Sequence, residues 1–140
     1  MKYKKRDLQV KKTGILNREL SKVIASMGHG DYLVISDAGL PIPSGVEVID
    51  VSVSENTPRF IDVLSPVLME LEVEKAILAS EMKINNPKIY KSAEVLLKGI
   101  KIEEISHMDF KKKIVQAKAV VRTGEFTSYS NIILISGVVF

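Results

Sequence analysis

The apolar positions of the chain change period several times, and each change marks an element. Leu16, Leu20, Val23, Ile24 and Met27 recur at the spacing of one helix face. Asn17 stands where an N-cap is wanted, and Gly28 where a left-handed residue ends a helix. Tyr32–Ser36 is then a continuous apolar run, the pattern of a strand covered on both faces. Glu47–Val53 alternates as a second strand. Thr57 and Pro58 read as an N-cap followed by proline at the first helical position. The helix they would open turns Phe60, Ile61, Leu64, Val67, Leu68 and Leu71 inward, and Pro66 should kink or split it.

Lys75–Ser80 is the next strand, Asn85-Asn86-Pro87 a turn, and a helix follows that ends at Gly99. Ile100–Ser106 is a short strand closing directly before His107. Residues 108–116 form another helix, Ala117–Arg122 a strand, Thr123–Ser130 a polar loop and Asn131–Phe140 a last apolar strand. Strands alternating with helices over short connections define an α/β domain. The expected architecture is a single three-layer domain over 11–140, with a mainly parallel, helix-covered sheet and an antiparallel member at the end. In such sheets ligands sit outside the carboxyl ends of strands. Asp37 and His107 both follow expected strands directly.

Composition narrows this picture further. With 46% apolar and 26% charged residues, the 140-residue chain has the make-up of a soluble globular protein. The absence of cysteine excludes disulfides and thiolate chemistry. No apolar run is long enough to span a bilayer and no signal-peptide pattern opens the chain, so a cytoplasmic location is expected. The net charge of +3 is concentrated at the start: residues 1–12 carry +5 and the rest −2. That makes 1–10 a flexible basic extension and argues against nucleic-acid binding, which places basic residues on a folded face.

The candidate chemistry gathers around GHGDYLVISDAGLPIP, residues 28–43. His29 on the turn leaving the first helix could cap that helix end, or act as a general acid or base. Asp37 could be a turn residue bonded to its own loop, or a site carboxylate at a strand end and the best candidate partner for His29. His107, Tyr129 and Asn131 are equally open to a structural or a ligand-contacting reading. A metal is disfavoured: no ligand pair has the helical i, i+4 spacing and no cysteine is present. No GxGxxG, Walker loop or GxSxG occurs.

Five motifs in order carry a resemblance: KKTGILN (11–17), GHGD (28–31), DAGLPIP (37–43), SHMDFK (106–111) and RTGE-x-x-x-Y-x-N-I-I-L (122–134). From Lys11 to Phe140 the chain closely resembles the D-ribose pyranases, small sugar mutarotases related to the fucose mutarotases. The resemblance implies interconversion of the pyranose and furanose forms of D-ribose in the cytoplasm, without a cofactor. It also implies a homo-oligomer, a ring-shaped decamer with active sites near subunit boundaries. By motif, His29 matches the family's catalytic histidine, and Asp37, His107, Tyr129 and Asn131 match its sugar-contacting residues. The open alternatives are a non-catalytic sugar-binding or regulatory partner of a ribose uptake system, and a mutarotase for another sugar such as fucose. Fucose mutarotases usually depart from DAGLP and lack a counterpart of His107; this chain keeps both. The apolar end, Val138-Val139-Phe140, is expected to be buried, as at an interface.

Overall fold

The computed structural model describes residues 10–140; of the expected basic extension over 1–10, all but Val10 lies outside the described residues. Six strands form one sheet in the order β2-β5-β1-β6-β3-β4. They are β1 (Tyr32–Ser36), β2 (Glu47–Asp50), β3 (Val73–Ala79), β4 (Lys101–Ile105), β5 (Ala119–Arg122) and β6 (Ile132–Ser136). The helices are α1 (Arg18–Ala25), α2 (Phe60–Glu70), α3 (Ser80–Asn85), α4 (Pro87–Leu96) and α5 (His107–Lys113), the last continuing into a 3-10 turn over Ile114–Gln116.

The strands are parallel except β6, which runs antiparallel to both its neighbours, β1 and β3. The antiparallel member is thus last in the chain but central in the sheet. Strand alternation assigns the two faces. Val120, Val34, Ile133 and Ile77 pair in one row across four strands and pack with Leu40, Phe110 and Ile114, under α5. Their neighbours Leu33, Ile35, Ala76, Leu78, Val121 and Leu134 face the larger layer, where Leu20, Val23, Phe60, Leu64, Val67 and Tyr90 come from α1, α2 and α4. Three layers result, as the alternation predicted.

Local signals mostly held. Asn17 caps α1, its side chain accepting from the Leu20 N–H, and Ser106 caps α5 in the same way through Asp109. Four details differ. Leu16 is 64% exposed and Ile15 is buried in its place, because Leu16 precedes the cap and never joins the helix face. The left-handed glycine after α1 is Gly30 (φ 87°), not Gly28; the Gly30 N–H donates to Ser136 on β6, so the turn is closed by the sheet rather than by the helix. Thr57 and Pro58 do not open α2: it starts at Phe60 behind Arg59, and Pro66 lies inside it without splitting it. Val138, Val139 and Phe140 follow β6 at 41%, 84% and 100% exposure, so no described residue buries them.

Candidate functional site

The sheet order creates the site. β5 and β6 lie on opposite sides of β1, and all three have an end at the carboxyl end of β1. The connection from β5 to β6, residues 123–131, must therefore cross over that end, where Asp37 emerges. Thr123 fastens the crossing: it is buried, donates to the Ser36 carbonyl (2.7 Å), and accepts from the Glu125 N–H. Further on, the Ala38 N–H donates to the Glu125 carbonyl (2.8 Å). Gly124 passes so close to the 54–57 loop that a Cβ there would stand 2.5 Å from the Ser54 carbonyl oxygen and 2.6 Å from that of Thr57. Only glycine fits that approach.

Under the loop is a cavity of about 550 Å3, lined by Asp37 to Pro41, His107, Arg122, Glu125, Phe126, Ser128 and Tyr129. Asp37 is buried and held on three sides. Its N–H donates to Asn131 Oδ1 (2.8 Å), the Asn131 amide donates back to its Oδ2 (3.2 Å), and the Gly39 N–H donates to its Oδ1 (3.0 Å). Burial raises its pKa above the ordinary carboxylate value, against the pull of the hydrogen bonds from Gly39, Asn131 and Leu40 and of nearby His107.

His107 begins α5, and its N–H donates to both oxygens of Glu81 (2.9 and 3.1 Å). Its ring stands edge-on to Tyr129, centroids 5.0 Å apart. Burial, helped by Lys111, lowers its pKa, while the carboxylates of Glu81 and Asp37 oppose. His107 Nδ1 is buried without a hydrogen-bond partner among the described residues, so no neighbour within them fixes the tautomer of the ring. Tyr129 has a left-handed backbone (φ 63°), unusual for an aromatic residue, and its carbonyl accepts from the Asn131 N–H in the tight turn that follows.

The structure brings together four of the five expected residues, but not in equal roles. Asp37, His107 and Tyr129 line the cavity; Asn131 is fully buried and spends its amide on Asp37. His29 is elsewhere. It precedes β1 while Asp37 follows it, so the strand's length, about 17 Å, separates them. The expected His29–Asp37 pair does not form within the chain. His29 is 59% exposed, and its Nε2 lies 2.6 Å from Glu74 Oε1 on β3.

Two lining residues escaped the reading of individual side chains, although both stand in the RTGE motif. Arg122 donates from Nε to the Ala38 carbonyl (3.2 Å) and from a terminal nitrogen to Asp50 (3.0 Å) and Ser52 (2.8 Å), tying the Asp37 loop to the end of β2. Glu125, 1% exposed, accepts from the Phe60 N–H and the Arg59 guanidinium (3.1 Å each), at the start of α2. Among the described residues no group of three or more His, Asp or Glu could hold a metal ion, and no helix is long and apolar enough to cross a membrane.

A largely apolar cavity into which strand ends place a buried carboxylate, an imidazole and a tyrosine has the make-up of a small-molecule site whose few polar groups orient the ligand. Comparison with known proteins agrees with that class. Residues 10–139 match the model of the RbsD / FucU transport protein family, and the chain belongs to that family. It is 53% identical over 131 residues to a D-ribose pyranase of Coprothermobacter proteolyticus and 50% identical over 131 residues to one of Oenococcus oeni. Each alignment covers 94% of this chain and all of the relative. Among solved structures, Bacillus subtilis RbsD complexed with D-ribose superposes with a TM-score of 0.91 at 48% identity, covering 94% of this chain and 100% of that one. The fucose mutarotase of Streptococcus pneumoniae, solved with L-fucose, gives 0.74 at 26% identity, over 89% and 94% of the two chains.

Proposed function

We propose that this protein is a D-ribose pyranase, a cytoplasmic isomerase that interconverts the pyranose and furanose rings of D-ribose. The observation that carries the reading is the Asp37–Asn131 lock beneath Tyr129 and His107, in a chain about half identical to D-ribose pyranases over 94% of its length. Asp37 accepts from sugar hydroxyls, while the His107 imidazole and the Tyr129 hydroxyl donate to or accept from others. Ring opening removes a proton from the anomeric hydroxyl and returns one to the ring oxygen, so one titratable group near neutrality is sufficient machinery.

His29 is the residue to carry that proton, and we assign it to the cavity of a neighbouring copy in a homo-oligomer, a decamer by family resemblance. Two features support this. His29 is exposed at the far end of β1, and Val138 to Phe140 form an apolar surface that no described residue covers. The turn that carries His29 is nonetheless well held: Asp31 accepts from the Gly28 N–H (2.8 Å), and Ser136 bonds Gly28 and Asp31 from β6.

NMR saturation transfer between the ribose ring forms tests the activity directly. Exchange no faster than the spontaneous rate, with ribose still bound, would leave only a sugar-binding module. Co-expression tests the shared site. Assemblies of His29→Asn or Asp37→Asn chains alone should be inactive, and mixed assemblies should regain exchange, because some cavities then pair an intact Asp37 with an intact His29. Verified mixed assemblies without activity would rule out a site built from two copies.

A further inference from the structure

β3 does not pair evenly with β6. Val73 faces Ser136 and Lys75 faces Ile135, so Glu74 is an extra residue, a β-bulge. Bulges re-aim a side chain and recur next to active sites. Here the re-aimed side chain is the one that meets His29, at 2.6 Å from Nε2. The pair is half exposed, and a pair in that setting contributes little to stability. Stability therefore does not account for the bulge, nor for two elements converging on one imidazole.

We propose that Glu74 is the positioning residue for His29: it accepts from Nε2–H, fixes that tautomer, and leaves Nδ1 as the nitrogen that exchanges protons with the sugar. This rests on the catalytic reading of His29. An imidazole whose one nitrogen is held by a carboxylate has its ring plane and its tautomer set by that bond, and its other nitrogen is the free acceptor. The turn Gly28–Asp31 fixes the backbone through Asp31 and Ser136, so the remaining freedom is rotation of the side chain, which Glu74 removes. In the ring-opening step one proton passes from the anomeric hydroxyl to Nδ1. The bond between C1 and the ring oxygen breaks with its electron pair on that oxygen, which then takes the proton back. While the ring is cationic, the Glu74 carboxylate faces it. Glu74 touches no sugar atom.

The test compares Glu74→Ala, Glu74→Gln and His29→Asn with wild type in the assembled protein. It reads ribose exchange by saturation transfer, assembly size by light scattering, and the His29 ring nitrogens by 15N NMR. Wild type should show a protonated Nε2 and a bare Nδ1 in the neutral ring. Glu74→Ala should keep its size and ribose affinity, lose the tautomer preference, and exchange ribose at least about tenfold more slowly, the usual scale for losing orientation of a catalytic group. Glu74→Gln, whose carbonyl still accepts from Nε2–H, should recover much of the rate. If His29→Asn is slow while Glu74→Ala matches wild type, the positioning role is overturned and His29 keeps its own. If His29→Asn matches wild type, the catalytic reading falls and takes this one with it. Smaller assemblies in both Glu74 variants would make Glu74 a subunit contact and overturn the proposal.

Discussion

Asn131→Ala and Tyr129→Phe should separate two residues whose sequence context looks alike. Asn131 Oδ1 takes the Asp37 N–H at 2.8 Å in a fully buried position, where no solvent can replace it. Truncation orphans that donor, at a cost of about 1–3 kcal/mol. The second bond, from the amide to Asp37 Oδ2, ends on a carboxylate that lines the cavity and can take a hydrogen bond from there, so the total loss is about 2–3 kcal/mol. For a chain of this length that corresponds to a fall in Tm of roughly 5–10 °C. Tyr129 makes no hydroxyl hydrogen bond to another described residue, so Tyr129→Phe should leave Tm within about 2 °C and weaken ribose by about 1–3 kcal/mol. Asn131→Ala should weaken ribose too, through a displaced Asp37. Differential scanning calorimetry at matched protein concentration, since assembly contributes to Tm, and titration calorimetry with ribose supply both readouts. A wild-type Tm for Asn131→Ala, or equal Tm losses in the two variants, would refute the division of roles.

Asp37→Asn should abolish most ribose binding and remove a pH dependence of stability. With a folded-state pKa raised above the ordinary 3.8, Asp37 contributes stability that is complete below that value and lost as pH rises through the raised one. The amide cannot titrate, but both carboxylate oxygens accept hydrogen bonds and the amide sets an NH2 against one of those donors, so the variant should melt below wild type. Melting both proteins from about pH 4 to about pH 7 should show the gap narrowing as pH rises, and a gap that widens would contradict the sign. Gly124→Ala should lower Tm by several degrees, since its Cβ meets two carbonyl oxygens at 2.5 and 2.6 Å; an unchanged Tm would show that the crossing loop gives way freely. Deleting residues 1–10 should leave assembly size and ribose exchange unchanged, and lost exchange would place the extension at a site.

What the sequence discloses is what local chemistry decides. Asn17 as a cap, the apolar runs of β1, β3 and β6, and His107 placed directly after β4 all follow from residues within a few positions of one another. The sheet order does not, because β6 joins β1 and β3 across long separations. Asn131 and Asp37 are 94 positions apart, so no local pattern marks the amide as the carboxylate's partner rather than the sugar's. The bulge at Glu74 depends on pairing with β6 and has no signature in VEKAILA itself. A five-residue strand between His29 and Asp37 puts them about 17 Å apart, so the strand pattern alone implies that the two cannot pair within one chain.

The irregularities of the fold converge on the cavity, and that convergence argues for a preorganised site. Among the described residues, two buried side-chain atoms lack hydrogen-bond partners, His107 Nδ1 and Ser130 Oγ, and both flank Tyr129. Two described residues other than glycine have left-handed backbones, Tyr129 itself and Asn56, whose side chain accepts from the Phe126 N–H and so anchors the crossing loop. The buried carboxylate with a raised pKa lies under the same loop. Each of these features costs stability, and strain of this kind persists where the surrounding structure over-determines it. Thr123, Gly124, Arg122 and Glu125 supply that over-determination, each fastening the crossing or the Asp37 loop to a different element. A core under selection for stability alone would have relaxed them. At the other end of β1 the same logic applies on an exposed turn, where Asp31, Ser136 and the Glu74 bulge restrain a half-exposed imidazole. Restraint a strand's length from the chain's own cavity makes sense if the imidazole serves the next copy, so each chain would provide a sugar cradle at one end of β1 and the acid/base for its neighbour at the other.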